Sequence, residues 1–276
     1  MKSDYISYPS AKINIGLYVF ETREDGFHGI ESIFLPIGPK NSGLTCDVLK
    51  ISEIPGTGAV EMIESGIDYP GNPEDNICVK AYNLISADTP IPSVRIELEK
   101  HIPVGAGMGG GSSDGVCTLI QLNKMFNLNL GTATLTGYAE KLGSDCPFFL
   151  LNSGAMLCTG RGEILEPIDN IAGMNFEDFL GKYRFEVEFP GIHVSTGHAY
   201  SIVPPRSKAS KSNTPLKDLI SLPVEQWQGR IVNDFEAPVF AEHPELQKIK
   251  DSFLNRGALY TSMTGSGSAI FGVFKR

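Results

Sequence analysis

Pro103-Val104-Gly105-Ala106-Gly107-Met108-Gly109-Gly110-Gly111-Ser112-Ser113-Asp114 holds five glycines in twelve residues. Upstream, Val94-Arg95-Ile96-Glu97-Leu98-Glu99 alternates apolar and charged side chains, the period of a strand. Downstream, Val116, Leu119, Ile120 and the stretch 123–126 recur at helical spacing. A flexible linker does not sit between an alternating strand and an amphipathic helix. Glycines let backbone N–H groups converge with no side chain in the way. The helix start adds unpaired N–H donors and a partial positive charge of roughly +0.5. Strand, glycine loop and helix start together make a phosphate site.

Two common phosphate sites fit the loop poorly. Gly105, Gly107 and Gly110 satisfy G-x-G-x-x-G, but no Asp or Glu lies near position 130 to hold a ribose, so the dinucleotide context is missing. The loop also lacks the Gly-Lys-Ser/Thr ending of a Walker loop. A nucleoside triphosphate site of non-Walker type is left.

Composition narrows the class further. The 276 residues are 41% apolar and 20% charged, ordinary for a folded globular chain. A net charge of −9 opposes a polyphosphate backbone, so no nucleic acid partner is expected. No stretch has the roughly 20 apolar residues of a membrane span. Met1-Lys2-Ser3-Asp4-Tyr5 lacks the apolar core of a secretory signal, so a cytoplasmic protein is expected. The five cysteines show no C-x-x-C spacing and read as reduced, buried thiols.

Working outward, 11–20 alternates as a strand, with Ile13, Ile15, Leu17 and Val19 facing a core and Lys12, Asn14 and Gly16 on the opposite face. A turn at 23–26 and a strand over 31–37 follow. Short strands are expected at 46–51 and 59–63, in a stretch punctuated by Pro55-Gly56 and Pro70-Gly71. Asp75 or Asn76 caps a helix over 77–86. Another helix over 134–142 ends at Gly143 in a left-handed cap. A composition shift at 152–162 suggests a boundary. Beyond it, strands are expected at 184–189 and 269–274, helices at 224–231 and 244–256, and a polar loop at 204–215. Taken singly, Asp145 reads as a turn former, Lys12 as a solvated strand lysine and His28 as structural. Thr264-Gly265-Ser266-Gly267-Ser268 reads as a turn or as a second phosphate nest.

Together these stretches resemble the GHMP kinase superfamily. The resemblance rests on the strand 9–17, Arg23-Glu24-Asp25-Gly26-Phe27-His28, the loop from Ile102 to Asp114, Gly143-Ser144-Asp145-Cys146-Pro147-Phe148-Phe149, Phe189-Pro190-Gly191, Asn233-Asp234-Phe235-Glu236 and 263–268. They span nearly the whole chain in the family's order. Gly115-Val116 departs from the usual Ala-Ala pair, which should weaken the helix start slightly.

The resemblance implies an α+β fold in two parts. Residues 1–155 would form a ribosomal-protein-fifth-type domain carrying the ATP loop, and 156–276 a ferredoxin-like domain. It implies ATP and Mg²⁺ as cofactors and Lys12 and Asp145 as the catalytic pair. Pro103, Val104, Gly105, Ala106, Gly107, Met108, Gly109, Gly110, Gly111, Ser112 and Ser113 would bind ATP. Asn14, Phe27, His28, Thr196, Tyr200, Gly265, Ser266 and Gly267 would bind substrate, Phe27 and Tyr200 sandwiching a cytosine. The implied acceptor is the 2-hydroxyl of a methylerythritol carrying cytidine diphosphate, on a route to isoprenoid precursors. Homoserine, mevalonate or galactose kinases are the alternatives within the superfamily, and a non-catalytic sensor the alternative outside enzymes. Neither a membrane partner nor a particular metal ligand is implied, and the protein would be a monomer or homodimer.

Overall fold

The computed structural model describes residues 5–67, 71–151, 154–207 and 214–276. Its strands are β1 (Tyr5–Ser7), β2 (Ala11–Thr22), β3 (His28–Ile37), β4 (Val48–Thr57), β5 (Val60–Gly66), β6 (Pro92–Lys100), β7 (Met156–Gly160), β8 (Ile164–Pro167), β9 (Tyr183–Glu188), β10 (Tyr260–Met263) and β11 (Ile270–Lys275). Its helices are α1 (Pro39–Ser42), α2 (Ile77–Asp88), α3 (Gly110–Met125), α4 (Thr132–Leu142), α5 (Cys146–Leu151), α6 (Phe176–Lys182), α7 (Thr196–Ile202), α8 (Leu216–Leu219), α9 (Glu236–Glu242) and α10 (Pro244–Asn255). They gather into two compact units. One takes Met1–Ala11, Thr45–Val104 and Gly109–Asn152, the other Lys12–Leu44, Gly105–Met108 and Ser153–Arg276. This grouping by contact interleaves along the chain and is a different partition from the expected division at 155.

The first unit is a four-stranded sheet in the order β1-β4-β6-β5. The alternation that marked β6 sorts its faces: Val94, Ile96 and Leu98 are buried, whereas Arg95 and Glu99 are exposed. The buried face packs in one core with Cys78, Tyr82 and Ile85 of α2, Val116, Leu119 and Leu122 of α3 and Tyr138 of α4. Each large apolar side chain so buried contributes about 1.5–3 kcal/mol. On β4 and β5, Lys50 pairs with Glu97 at 3.0 Å and Glu61 with Arg95 at 2.9 Å. β5 runs parallel to β6, and α2 lies on the connection between them, as parallel pairing requires. β4 continues through Pro55-Gly56, which punctuation alone marked as loop. Its register with β6 shifts between Glu53 and Thr57, a bulge where a residue with no N–H is tolerated.

The second unit holds the sheet β2-β3-β7-β8 and the antiparallel sheet β10-β11-β9. The segment read as a boundary, 152–162, contains β7, paired with β3 from Ile30↔Gly160 to Phe34↔Met156. Residues 152, 153 and 208–213 lie outside the described residues, the last within the expected loop 204–215. β2 is buried on both faces, so Lys12 (3% exposed) and Asn14 (1%) do not face solvent as period two alone suggests.

Two expected elements differ. Gly143 is extended (φ 168°, ψ 159°) and not left-handed, because the chain turns there into the Gly143–Cys146 hydrogen bond that opens α5. Residues 224–231 form only a short 3₁₀ turn, Val224–Gln226. The wholly buried Trp227 follows it, packing on Phe179 and Tyr260 with its indole N–H donated to the Leu222 carbonyl. Asn76 is the residue that caps α2, its Oδ1 accepting the Cys78 N–H at 2.8 Å. None of the five cysteines forms a disulfide.

Gly115 has a packing reason. A Cβ there would lie 2.8 Å from Cγ1 of Ile77, where α3 passes α2. Alanine recovers about 1 kcal/mol of helix propensity but overpacks this contact by about 1–3 kcal/mol. Gly115→Ala is therefore expected to lower the urea midpoint slightly, and a raised midpoint would refute close packing as the reason for the glycine.

Candidate active site

The buried polar row on β2 is the centre of the site in the second unit. The Lys12 ammonium donates to Asn14 Oδ1 at 2.6 Å and to the Gly107 carbonyl at 3.0 Å, and lies 4.6 Å from the centre of the Phe34 ring. Asn14 also receives the Thr264 hydroxyl at 3.1 Å and donates to Ser32 Oγ at 2.8 Å. The Asn14 N–H donates to Thr264 Oγ1 at 3.0 Å. Three segments remote in sequence thus meet: β2, the middle of the glycine loop and the turn between β10 and β11. Main-chain bonds fix the loop there, from Lys12 N–H to the Met108 carbonyl (2.9 Å) and from Ala269 N–H to the Ala106 carbonyl (3.3 Å).

Two glycines make this meeting possible. A Cβ on Gly107 would stand 2.1 Å from the Thr264 carbonyl oxygen, and one on Gly265 would stand 2.9 Å from Cα of Gly107. Both residues also have positive φ, +76° and +58°. Asn233 holds the second turn, donating at 2.8 Å to the carbonyls of both Met263 and Gly265. Glu236 accepts the Met263 N–H at 2.7 Å. The Asn-Asp-Phe-Glu stretch is therefore a brace for the turn; Asn233 and Thr264 lay in stretches already marked but were given no individual role, and Ser32 was not marked at all.

Beside this centre, His28 stacks on Tyr200 with centroids 5.5 Å apart and planes 17° from parallel, and Tyr200 meets Phe235 edge-on. His28 Nδ1 lies 2.7 Å from the Phe20 carbonyl, so Nδ1 carries the hydrogen. Phe27 is 56% exposed, with the Arg161 guanidinium 4.9 Å from its ring centre. Thr196 and Ser266 share a hydroxyl hydrogen bond of 3.0 Å. A cleft of about 530 Å³ lined by Tyr18, Phe20, Gly29, Ile30, Glu31 and Thr159 lies alongside, within the size range of small-molecule sites.

The first unit holds the rest of the expected set. Pro103 and Val104 lead into the loop, and Gly109, Gly110, Gly111, Ser112 and Ser113 form the start of α3. Gly109 is the N-cap, and no side chain caps the helix, unlike α2. Its first N–H groups have no partner within the helix by construction. Asp145 is half-buried in the turn before α5. The next residue, Cys146, is wholly buried. Burial pushes its thiol up to about 12, the Ser112 hydroxyl opposes this, and the Asp145 charge adds to it. Among the described residues no cluster of three or more His, Cys, Asp or Glu is placed to hold a metal ion.

Truncating Asn14 would remove the acceptor that Lys12 and Thr264 share and the donor to Ser32, leaving the Gly107 carbonyl to serve both, a loss of about 1–3 kcal/mol. Asn14→Ala is expected to lower unfolding stability by that amount in a denaturant titration, and an unchanged midpoint would show that the buried polar row is not held by this side chain.

Comparison with known proteins identifies the family. Residues 76–153 match the GHMP kinases N terminal domain and residues 218–276 the GHMP kinases C terminal domain. The chain is 41% identical over 98% of its length, and 94% of the other, to the 4-diphosphocytidyl-2-C-methyl-D-erythritol kinase of Azobacteroides pseudotrichonymphae genomovar. CFP2. It is 39% identical to the protein of the same name from Bacteroides fragilis strain YCH46, over 98% and 92% of the two chains. A crystal structure of 4-(cytidine 5'-diphospho)-2C-methyl-D-erythritol kinase matches with a TM-score of 0.75 at 30% identity, over 97% of this chain and 89% of that one. The mevalonate kinase of Methanococcus jannaschii shares the fold, with a TM-score of 0.67 at 13% identity over 99% and 91%. The chain belongs to the GHMP kinase family and is a small-molecule kinase.

Proposed function

We propose that the protein phosphorylates the 2-hydroxyl of 4-diphosphocytidyl-2-C-methyl-D-erythritol with ATP, in isoprenoid precursor synthesis. The observation that carries this is the 41% identity over 98% of the chain to a kinase of that name. Lys12, Asp145 and the glycine loop, which the chemistry needs, are all present. A non-catalytic sensor would not need the Lys12 and Asp145 pair.

As a GHMP kinase the enzyme takes ATP. Phosphoryl transfer asks mainly for positioning and charge stabilisation. The loop 103–113 would present its N–H groups to the ATP phosphates. Asp145 would accept the proton of the attacking hydroxyl as the new phosphorus–oxygen bond forms and the bond to the ADP oxygen breaks. Lys12, oriented by Asn14 and the Gly107 carbonyl, would stabilise the negative charge on the reacting groups. Mg²⁺ suits this donor set, since it binds through phosphate oxygens, water and one or two carboxylates and needs no acidic cage. The ion would neutralise charge on the transferred group.

Asn14, Phe27, His28, Thr196, Tyr200 and the turn 265–267 would hold the acceptor, its cytosine against the exposed ring of Phe27 and the ring of Tyr200. We further propose that the family's two domains divide near 155, which the two family matches flank. The protein would act in the cytoplasm as a monomer or homodimer. Among the described residues no helix is long and apolar enough to cross a membrane.

The first test is Mg²⁺-ATP turnover against a panel of 4-diphosphocytidyl-methylerythritol, mevalonate, homoserine and galactose. Turnover with the cytidylated acceptor alone is expected, and turnover with another acceptor alone overturns the substrate assignment. Asp145→Asn should lower kcat by about 10²–10⁴-fold with ATP binding retained, as loss of a general base does. A near-normal kcat would remove Asp145 from that role. Tyr200→Ala should raise the acceptor KM by about tenfold, the worth of one base–aromatic stack, and leave the ATP KM in place.

A further inference from the structure

Behind the glycine loop, in the first unit, lies an ion cluster that the proposed chemistry does not use. Asp47, Lys100 and Asp114 are each at most 1% exposed. The Lys100 ammonium, at the end of β6, donates to Asp47 and, at 2.7 Å, to Asp114 in the first turn of α3. Asp47 Oδ1 accepts the N–H groups of His101 (2.5 Å) and Ile102 (2.8 Å), the residues that lead into Pro103. The Asp47 N–H is anchored on the Pro9 carbonyl at 3.1 Å. The cluster therefore grips the chain immediately before the loop and the helix immediately after it.

Its charge is decided by hydrogen bonding. Two carboxylates and one ammonium would leave a net negative charge in a site without water access, which is costly. Burial works against the Lys100 charge, but the two acids more than offset it and raise its pKa, so the ammonium stays. Asp47 and Asp114 converge on the single ammonium of Lys100, and two like charges held that close favour a proton on one of them. Asp47 receives three donors, the Lys100 ammonium and the main-chain N–H groups of His101 and Ile102. Asp114 receives Lys100 alone, and its Oδ1 is buried with no hydrogen-bond partner.

We propose that Asp47, Lys100 and Asp114 are a positioning clasp that sets both ends of the ATP loop, built from one carboxylate, one ammonium and one neutral carboxyl, with the proton on Asp114. The proposal rests on the assignment of the loop to ATP. Burial supports it, pushing the Asp114 carboxyl up to about 8 although Lys100 pulls it down. The other titratable groups facing Asp114 are Cys78 of α2 and Cys117 of α3. Both thiols are raised by burial, Cys117 to about 11, and stay neutral below that.

The test compares Asp114→Asn with Asp47→Asn in the full chain. An amide replaces a neutral carboxyl with little loss, so Asp114→Asn should keep the ATP KM within about twofold. Asp47→Asn sets an amide N–H₂ against the Lys100 ammonium, and should raise the ATP KM about tenfold or more while the acceptor KM stays put. A second readout holds even if Asp47→Asn does not fold. The folded-state pKa of Asp114 is raised, so its stabilisation is complete below the unfolded value near 4 and is lost as pH rises to about 8. Between pH 5 and 8 the folded-to-unfolded ratio of the parent should therefore fall relative to Asp114→Asn, by up to about tenfold per pH unit, and level off above. A folded Asp47→Asn with the parent's ATP KM, an Asp114→Asn as impaired as Asp47→Asn, or parallel pH profiles would each overturn the clasp. A parent with no saturable ATP dependence would instead overturn the assignment of the loop.

Discussion

Burying the Lys12 ammonium is the constraint from which the second unit's site follows. At 3% exposure the group has lost most of its water, and the chain must supply acceptors in its place. Asn14 Oδ1 is one, the Gly107 carbonyl another, and the π face of Phe34 a third contact. Bringing the Gly107 carbonyl to Lys12 forces the loop backbone against the 264–267 turn, closer than any Cβ allows. The turn must then be held, and Asn233 and Glu236 hold it through main-chain groups of Met263 and Gly265. One buried charge thus accounts for an asparagine on β2, glycines in two separate turns and the polar motif that opens α9.

The glycines of the loop do unlike work, which composition alone hides. Gly107 is required by backbone contact, and Gly110 by Cγ2 of Ile102, 2.7 Å from where a Cβ would stand. A Cβ on Gly111 would meet nothing within 4 Å, so that glycine keeps the face of the first helical turn open to a ligand. The first kind sets where the loop runs, and the second sets what can approach it.

Local order was legible where one period dominated. The alternation of β6, the helical spacing of α3 and the Asn cap of α2 each come from contacts that a single element makes with one core. What failed to show depended on partners far along the chain. β7 reads as a composition break because its pairing with β3 is invisible in its own five residues. Trp227 turns 224–231 away from a helix through contacts with Phe179 and Tyr260. Lys12 looked like an ordinary strand lysine, since nothing near it in sequence says that the face it shares with Asn14 is covered by residues 107 and 264. Asp47 was missed for the same reason: its partners are the main chain of 101 and 102 and a lysine 53 positions away.

The two aromatic residues expected to enclose a base each have partners of their own in the structure. Tyr200 carries His28 on one face at 5.5 Å and Phe235 at its edge, while Phe27 stands exposed beside Arg161. A stacked ring needs about 3.5 Å on each side, so a base cannot enter between His28 and Tyr200 without separating them. In the proposed acceptor site, a base arriving on that face of Tyr200 would exchange one planar partner for another. The bond from Nδ1–H to the Phe20 carbonyl leaves Nε2 of the neutral ring as an acceptor. Cytosine offers an amino donor that such an acceptor can meet. Stacking in place of exposed aromatic surface, and a ring nitrogen whose tautomer is set by the backbone, would give the proposed acceptor site a preference for a base that the glycine loop cannot supply.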